Sequence, residues 1–155
     1  MLKKLSVVLV CLTLAASLPA RADDAAALGT FKQFMKCIAE KNDTGAWNLL
    51  NEISKSMIRT KIYADVHSSD PSVTEAQFDQ IFKEKQPDLL AAFFGAFRKE
   101  VDFEQMLENG NIRCLDFKGQ VVGLAVNGEA KWASVLVKEN GSYKIDLDAT
   151  MKMAK

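Results

Sequence analysis

Few residues in this chain are placed to do chemistry. The only histidine, His67, lies in the run Asp65-Val66-His67-Ser68-Ser69-Asp70, which sets acid, base and hydroxyl groups a few positions apart. Acid–base or nucleophilic catalysis needs such groups to converge in a dry pocket. A short polar stretch punctuated by Pro71 does not bring them together, and Asp65 to Ser72 reads as a surface loop. Asp146 and Asp148 offer two carboxylates to a divalent cation. Two carboxylates alternating along a strand more commonly form a solvated face, which is the expectation here. Arg98-Lys99-Glu100 reads as a solvated patch on a helix. The sequence has no glycine-rich phosphate loop, nucleophile elbow or histidine-based zinc motif. Two distant cysteines and one histidine supply neither the count nor the spacing of a zinc site. No catalytic residue, metal or cofactor is assigned.

The aromatic residues Trp47, Phe93, Phe94, Phe97, Trp132 and Tyr143 are a better lead. They can line an apolar cavity, with the two indoles and the phenol as polar tips, or they can fill an ordinary core. Cys37 and Cys114 also have two readings. Paired in an oxidising compartment they would close a long loop, worth about 4 kcal/mol in the chain-entropy model. Unpaired, they are small buried hydrophobes.

The compartment follows from the start of the chain. Lys3 and Lys4, the apolar run Leu5 to Ala16 and the small-x-small triplet Ala20-Arg21-Ala22 form a signal peptide cleaved after Ala22. An uncleaved anchor is disfavoured because a bilayer span needs about 20 apolar residues. Cys11 does not mark a lipoprotein, since Val10 precedes it and it falls inside the apolar run. The whole chain of 155 residues carries 20 basic and 20 acidic groups. Losing Lys3, Lys4 and Arg21 and no acid leaves 17 basic against 20 acidic groups, a net −3. No basic stripe remains, which argues against nucleic acid and against an anionic membrane surface. The mature protein, residues 23–155, is expected to be one periplasmic or secreted domain without stable membrane insertion.

The elements that must position these residues come in two kinds. Asp23 or Asp24 starts a helix with Leu28, Phe31, Met35 and Ile38 on one face, fading at Lys41-Asn42. Asp43 or Thr44 starts a second, with Ala46, Trp47, Leu50, Ile53 and Met57 as its inner stripe. Thr74-Glu75-Ala76-Gln77 has the form of a capping box, followed by Phe78, Ile81 and Phe82 as a buried side. Pro87 ends or kinks that helix, and the run from Asp88 is apolar almost all round until Asn109-Gly110.

The period then falls to two. Ile112–Lys118, Val121–Val126, Ala130–Lys138 and Tyr143–Asp148 read as strands, separated by Lys118-Gly119, Asn127-Gly128 and Asn140-Gly141. The third run is apolar on both faces, so it should be an interior strand. In the fourth, Tyr143, Ile145 and Leu147 should face the helices, and Lys144, Asp146 and Asp148 should face water. The fold class is α+β: N-terminal helices packed on a four-stranded antiparallel C-terminal meander.

Two stretches carry a resemblance. The chain runs from its first helix into KNDTGAWNLL, and it closes with WASVLVKENGSYKIDL. A helix end followed by Asn-Asp-x-x-Ala-aromatic, and a last hairpin ending Gly-x-aromatic-Lys-Ile, resemble exported members of the NTF2-like (cystatin-like α+β roll) superfamily. The resemblance implies a curved sheet whose helices enclose a cone-shaped space, used as a ligand site, an active site or a core. The helical stretch Thr74 to Glu108 departs from that pattern.

Three functions fit these features. The first is a non-catalytic binding module for a small apolar ligand or a protein partner. The second is a structural homodimer joined through its sheet faces, with Trp132 or its neighbours at the contact. The third is a cavity enzyme of isomerase or hydratase type with an Asp or Tyr as acid or base.

Overall fold

The computed structural model describes residues 24–153; the expected leader and Asp23 lie outside them. Helix α1, Asp24–Ala39, buries Phe31, Met35 and Ile38 of the expected face, together with Phe34 and Ala27, while Leu28 is half-buried. It ends in a short turn, and Asn42 caps the next helix by accepting from the Gly45 amide at 2.9 Å. Removing such a cap costs about 1 kcal/mol.

The expected second helix is in fact two. Helix α2, Asp43–Asn48, stops, and α3, Glu52–Ser69, starts afresh with Asn51 accepting from the Ser54 amide. Between them, Leu50 forms a parallel bridge to Ile145. The Asn51 amide donates to Ile145 O at 3.0 Å, and the Ile145 amide donates to Leu49 O at 2.9 Å. The break resets the helical phase. Ser54, Ile58 and Ile62 turn inward, while Ile53 is 60% exposed and Met57 is only half-buried. The expectation that Ile53 continues the inner stripe of Ala46 and Leu50 is therefore corrected, while Met57 packs on the core with part of its surface. Helix α3 also runs through most of the expected Asp65–Ser72 loop and ends at Ser69.

Helix α4, Glu75–Glu100, opens on the expected capping box: Thr74 Oγ1 accepts from the Gln77 amide, and Gln77 Oε1 accepts from the Thr74 amide at 2.8 Å. It kinks at Lys85, two residues before Pro87, and buries Phe78, Phe82, Leu90, Phe94 and Phe97. Its other faces are wetter than the apolar run implies, since Ala91 and Ala92 are exposed. Among the described residues no helix is long and apolar enough to cross a membrane. Helix α5, Phe103–Asn109, adds buried Phe103 and Met106.

The four strands are β1 Asn111–Phe117, β2 Gln120–Asn127, β3 Ala130–Glu139 and β4 Ser142–Asp146, in antiparallel order β1-β2-β3-β4. The first and third turns, Lys118-Gly119 and Asn140-Gly141, have positive φ at both residues, as tight hairpins require. In the second, Asn127 still pairs with Ala130, and Gly128-Glu129 makes the turn. Strand β3 is interior and buried on both sides. Trp132 and Leu136 face the helices, and Ala133 and Val135 join Val122 and Leu124 on the opposite face.

A final helix, α6, Leu147–Met153, stands where the fourth strand was expected to continue, and Ala149 and Met153 pack on that opposite face. Its start corrects the reading of the acidic pair. Asp146 is 7% exposed rather than solvated, and its Oδ1 accepts from the Ala149 amide at 2.8 Å. Thr150 Oγ1 donates to Asp146 O at 2.6 Å and accepts from the Val135 amide at 2.8 Å, tying α6 to β3.

Candidate functional site

The six aromatic residues do not meet in one place. Phe93, Phe94, Phe97 and Trp132 form one edge-to-face line that runs from Phe34 of α1 to Phe103 of α5, with Phe97 and Trp132 centroids 5.3 Å apart. Such pairs contribute about 1 kcal/mol beyond their area. Trp47 belongs to a second line, against Phe82 at 5.8 Å, which continues through Phe78 to Tyr63 and His67. Arg59 caps this line from outside, 5.9 Å from the centroids of both Phe78 and Phe82, and pairs with Asp79. Tyr143 stands apart on β4 beneath the Lys138 ammonium.

The first line abuts a tightly filled space. Phe31 presses on the sheet at Gly123, where a Cβ would lie 2.4 Å from the Phe31 ring. Ser134, which pairs with Gly123 across the ladder, is fully buried, and so is most of Trp132 two residues before it. Neither Trp132 Nε1 nor Ser134 Oγ has a protein hydrogen-bond partner. Leaving such groups unmatched costs about 1–3 kcal/mol each.

Other expected groups have structural partners. His67 lies on the last turn of α3, where Nδ1 is 3.0 Å from Val73 O and helps close the turn into α4. Asp70 has its carboxyl held below the usual range by the Ser72 hydroxyl and amide. Cys37 is a buried free thiol with Gln33 Nε2 3.6 Å from its Sγ; no bond joins it to Cys114, which packs on the same core from β1. Among the described residues, no three or more His, Cys, Asp and Glu side chains converge to hold a metal ion.

Arg98 was expected on a solvated patch and is instead an internal clamp. Its Nη1 donates to Asp43 Oδ1 at 2.6 Å and to Ile38 O at 3.3 Å, while Nη2 reaches Ala91 O at 3.2 Å. Asp43 is 7% exposed. One guanidinium thus joins the end of α1, the start of α2 and the middle of α4.

A concave surface lies on the outer side of α3. A groove of about 740 Å³ is floored by Ile53, Ser56, Met57, Thr60 and Ala64, with Glu52, Lys61 and Asp148 as its charged lining. Helix α6 is fastened to the inner side of α3 by the Leu147 amide, which donates to the buried Ser54 Oγ at 2.8 Å. Among the described residues, the large apolar side chains that stand exposed are Ile53 on α3 and Met151 on α6, the two helices that supply this groove. Reading the sequence alone buried Ile53 and missed the site. The signal that could have found it is Asn51 followed by Glu52, a cap with an acidic first turn, which marks a new helix start. No family model, curated protein or solved structure matches the chain.

Proposed function

We propose that this chain is an exported binding module that docks a protein partner along the groove of α3 and α6. The observation that carries the reading is Ile53, 60% exposed on a groove floored by Met57 and Ala64. Apolar patches bounded by charge are the usual mark of a protein contact. The floor follows helical spacing, 53, 57, 60 and 64, which suits another helix laid along it. The NTF2-like resemblance of the two ends of the chain belongs to this reading, because it implies a scaffold open to binding roles. Ile53→Glu is expected to leave unfolding free energy within about 0.5 kcal/mol of the parent, as surface changes do. It should also abolish capture by a photo-crosslinking residue placed at Ser56 in the expressing cell. If Ser56 captures no polypeptide in the parent chain, the docking reading fails.

A further inference from the structure

The outer stripe of α3 has a property that a general docking groove does not need: it is self-complementary. Six of its lining residues, Glu52, Ile53, Ser56, Met57, Thr60 and Lys61, pair off about one midpoint, between Ser56 and Met57. Turning a second copy about a two-fold axis through that midpoint sets Ile53 opposite Thr60, Ser56 opposite Met57 and Glu52 opposite Lys61. Large thus meets small and acid meets base, twice over, as an isologous interface requires.

We propose that the occupant of the groove is a second copy of this chain, its α3 antiparallel to the first; the inference rests on the groove being a protein-docking surface. The small side chains of Ser56, Thr60 and Ala64 let the two helix backbones approach closely. The shared stripe from Glu52 to Lys61 covers about 14 Å of helix. Antiparallel helices also set each N-terminus beside the other's C-terminal half, where their dipoles attract. Charge sorts the register. Glu52 already bonds Lys55 at 2.7 Å, and Lys61 lies 3.7 Å from Asp65, both on the surface. The crossing joins each local pair to its mate and makes a network at either end of the stripe. Asp148, next in chain to the residue fastened at Ser54, adds a second carboxylate to the groove. A parallel pairing would set Glu52 against Glu52 and Lys61 against Lys61, which the same charges oppose. This contact leaves the sheet faces and Trp132 uninvolved, unlike a sheet-to-sheet dimer.

The test is sedimentation equilibrium of the chain as it accumulates in an expressing cell, with four variants. The parent is expected to show a reversible monomer–dimer equilibrium. Ile53→Asp, at an exposed position, should raise the dimer dissociation constant about a hundredfold. Glu52→Lys and Lys61→Glu should each raise it about tenfold, through repulsion at both ends of the interface. The double variant Glu52→Lys/Lys61→Glu should return it to near the parent value. A merely structural role for either residue would give no such rescue. A parent that stays monomeric at high concentration overturns the dimer. If a photo-crosslinker at Ser56 then captures a different polypeptide, the docking reading stands without the dimer. If it captures nothing, both fall. A dimer indifferent to Ile53→Asp and to the charge exchange overturns the α3 interface.

Discussion

Arg98→Met is expected to lower the unfolding free energy by about 3–5 kcal/mol. Asp43 is almost sealed from water, and two of its contacts come from the Arg98 guanidinium, at 2.6 and 3.4 Å. Methionine keeps most of the apolar stem but leaves the carboxylate buried without its counter-charge. It also removes the guanidinium's contacts to Ile38 O and Ala91 O, which tie α4 to the end of α1. The joint effect loosens the corner where α1, α2 and α4 meet, so the loss should appear as a lower urea midpoint with an unchanged slope. Replacing both partners, Arg98→Met with Asp43→Leu, should restore a large part of the loss, since a buried ion pair exchanged for apolar groups is often close to neutral. A loss under about 1 kcal/mol in the single variant would mean that water reaches the carboxylate and that Arg98 is no clamp.

Phe31→Ala should cost about 3–5 kcal/mol, the range for truncating a buried aromatic. Phe31 is fully buried and presses on the sheet at Gly123. The contact can be probed from the other side. In Gly123→Ala the new methyl group would sit 2.4 Å from the Phe31 ring, in a central strand that cannot retreat because β1 and β3 flank it. Overpacking of this kind costs about 1–3 kcal/mol. The two changes should not add: in the Phe31→Leu background, Gly123→Ala should be tolerated better, because the smaller side chain frees the space above the strand. Thermal or chemical unfolding of the four proteins gives the coupling. Gly123→Ala as stable as the parent would show that Phe31 does not hold α1 against the sheet.

Much of this architecture was legible in the residues. Thr74 and Gln77 announced the start of α4 because both halves of a capping box are local. The meander was legible because Lys118-Gly119 and Asn140-Gly141 can take positive φ at both positions, while alternation fixes which residues share a face. The split of β3 into Trp132 and Leu136 on one side and Ala133 and Val135 on the other needed only the period of two. The α+β class follows from these local facts together.

The aromatic residues were legible as buried groups but not as two separate lines. Which ring meets which depends on how α4 crosses α1, α3 and the sheet, and spacing within one helix carries no such information. The charged candidates were misread for a related reason. Arg98 and Asp43 are 55 positions apart, and each alone looks solvated. Asp146 looked like the wet side of a strand because nothing local says that the chain turns into a helix after it.

The sequence by itself determined the Thr74 capping box, the Lys118-Gly119 and Asn140-Gly141 turns, the two faces of β3 and the placing of a helical stretch ahead of the strands, since each depends on neighbours within a few residues. Only the tertiary structure decided which way α3 faces. From Ala46 to Ile62 the apolar residues fit either one long helix or two with a phase step. The choice is made by Leu49 and Asn51, which exchange hydrogen bonds with Ile145 nearly a hundred positions later. That long-range pairing interrupts the helix, lets Asn51 cap a new one and turns Ile53 outward. The groove exists because a strand edge, rather than local propensity, sets the phase of a helix.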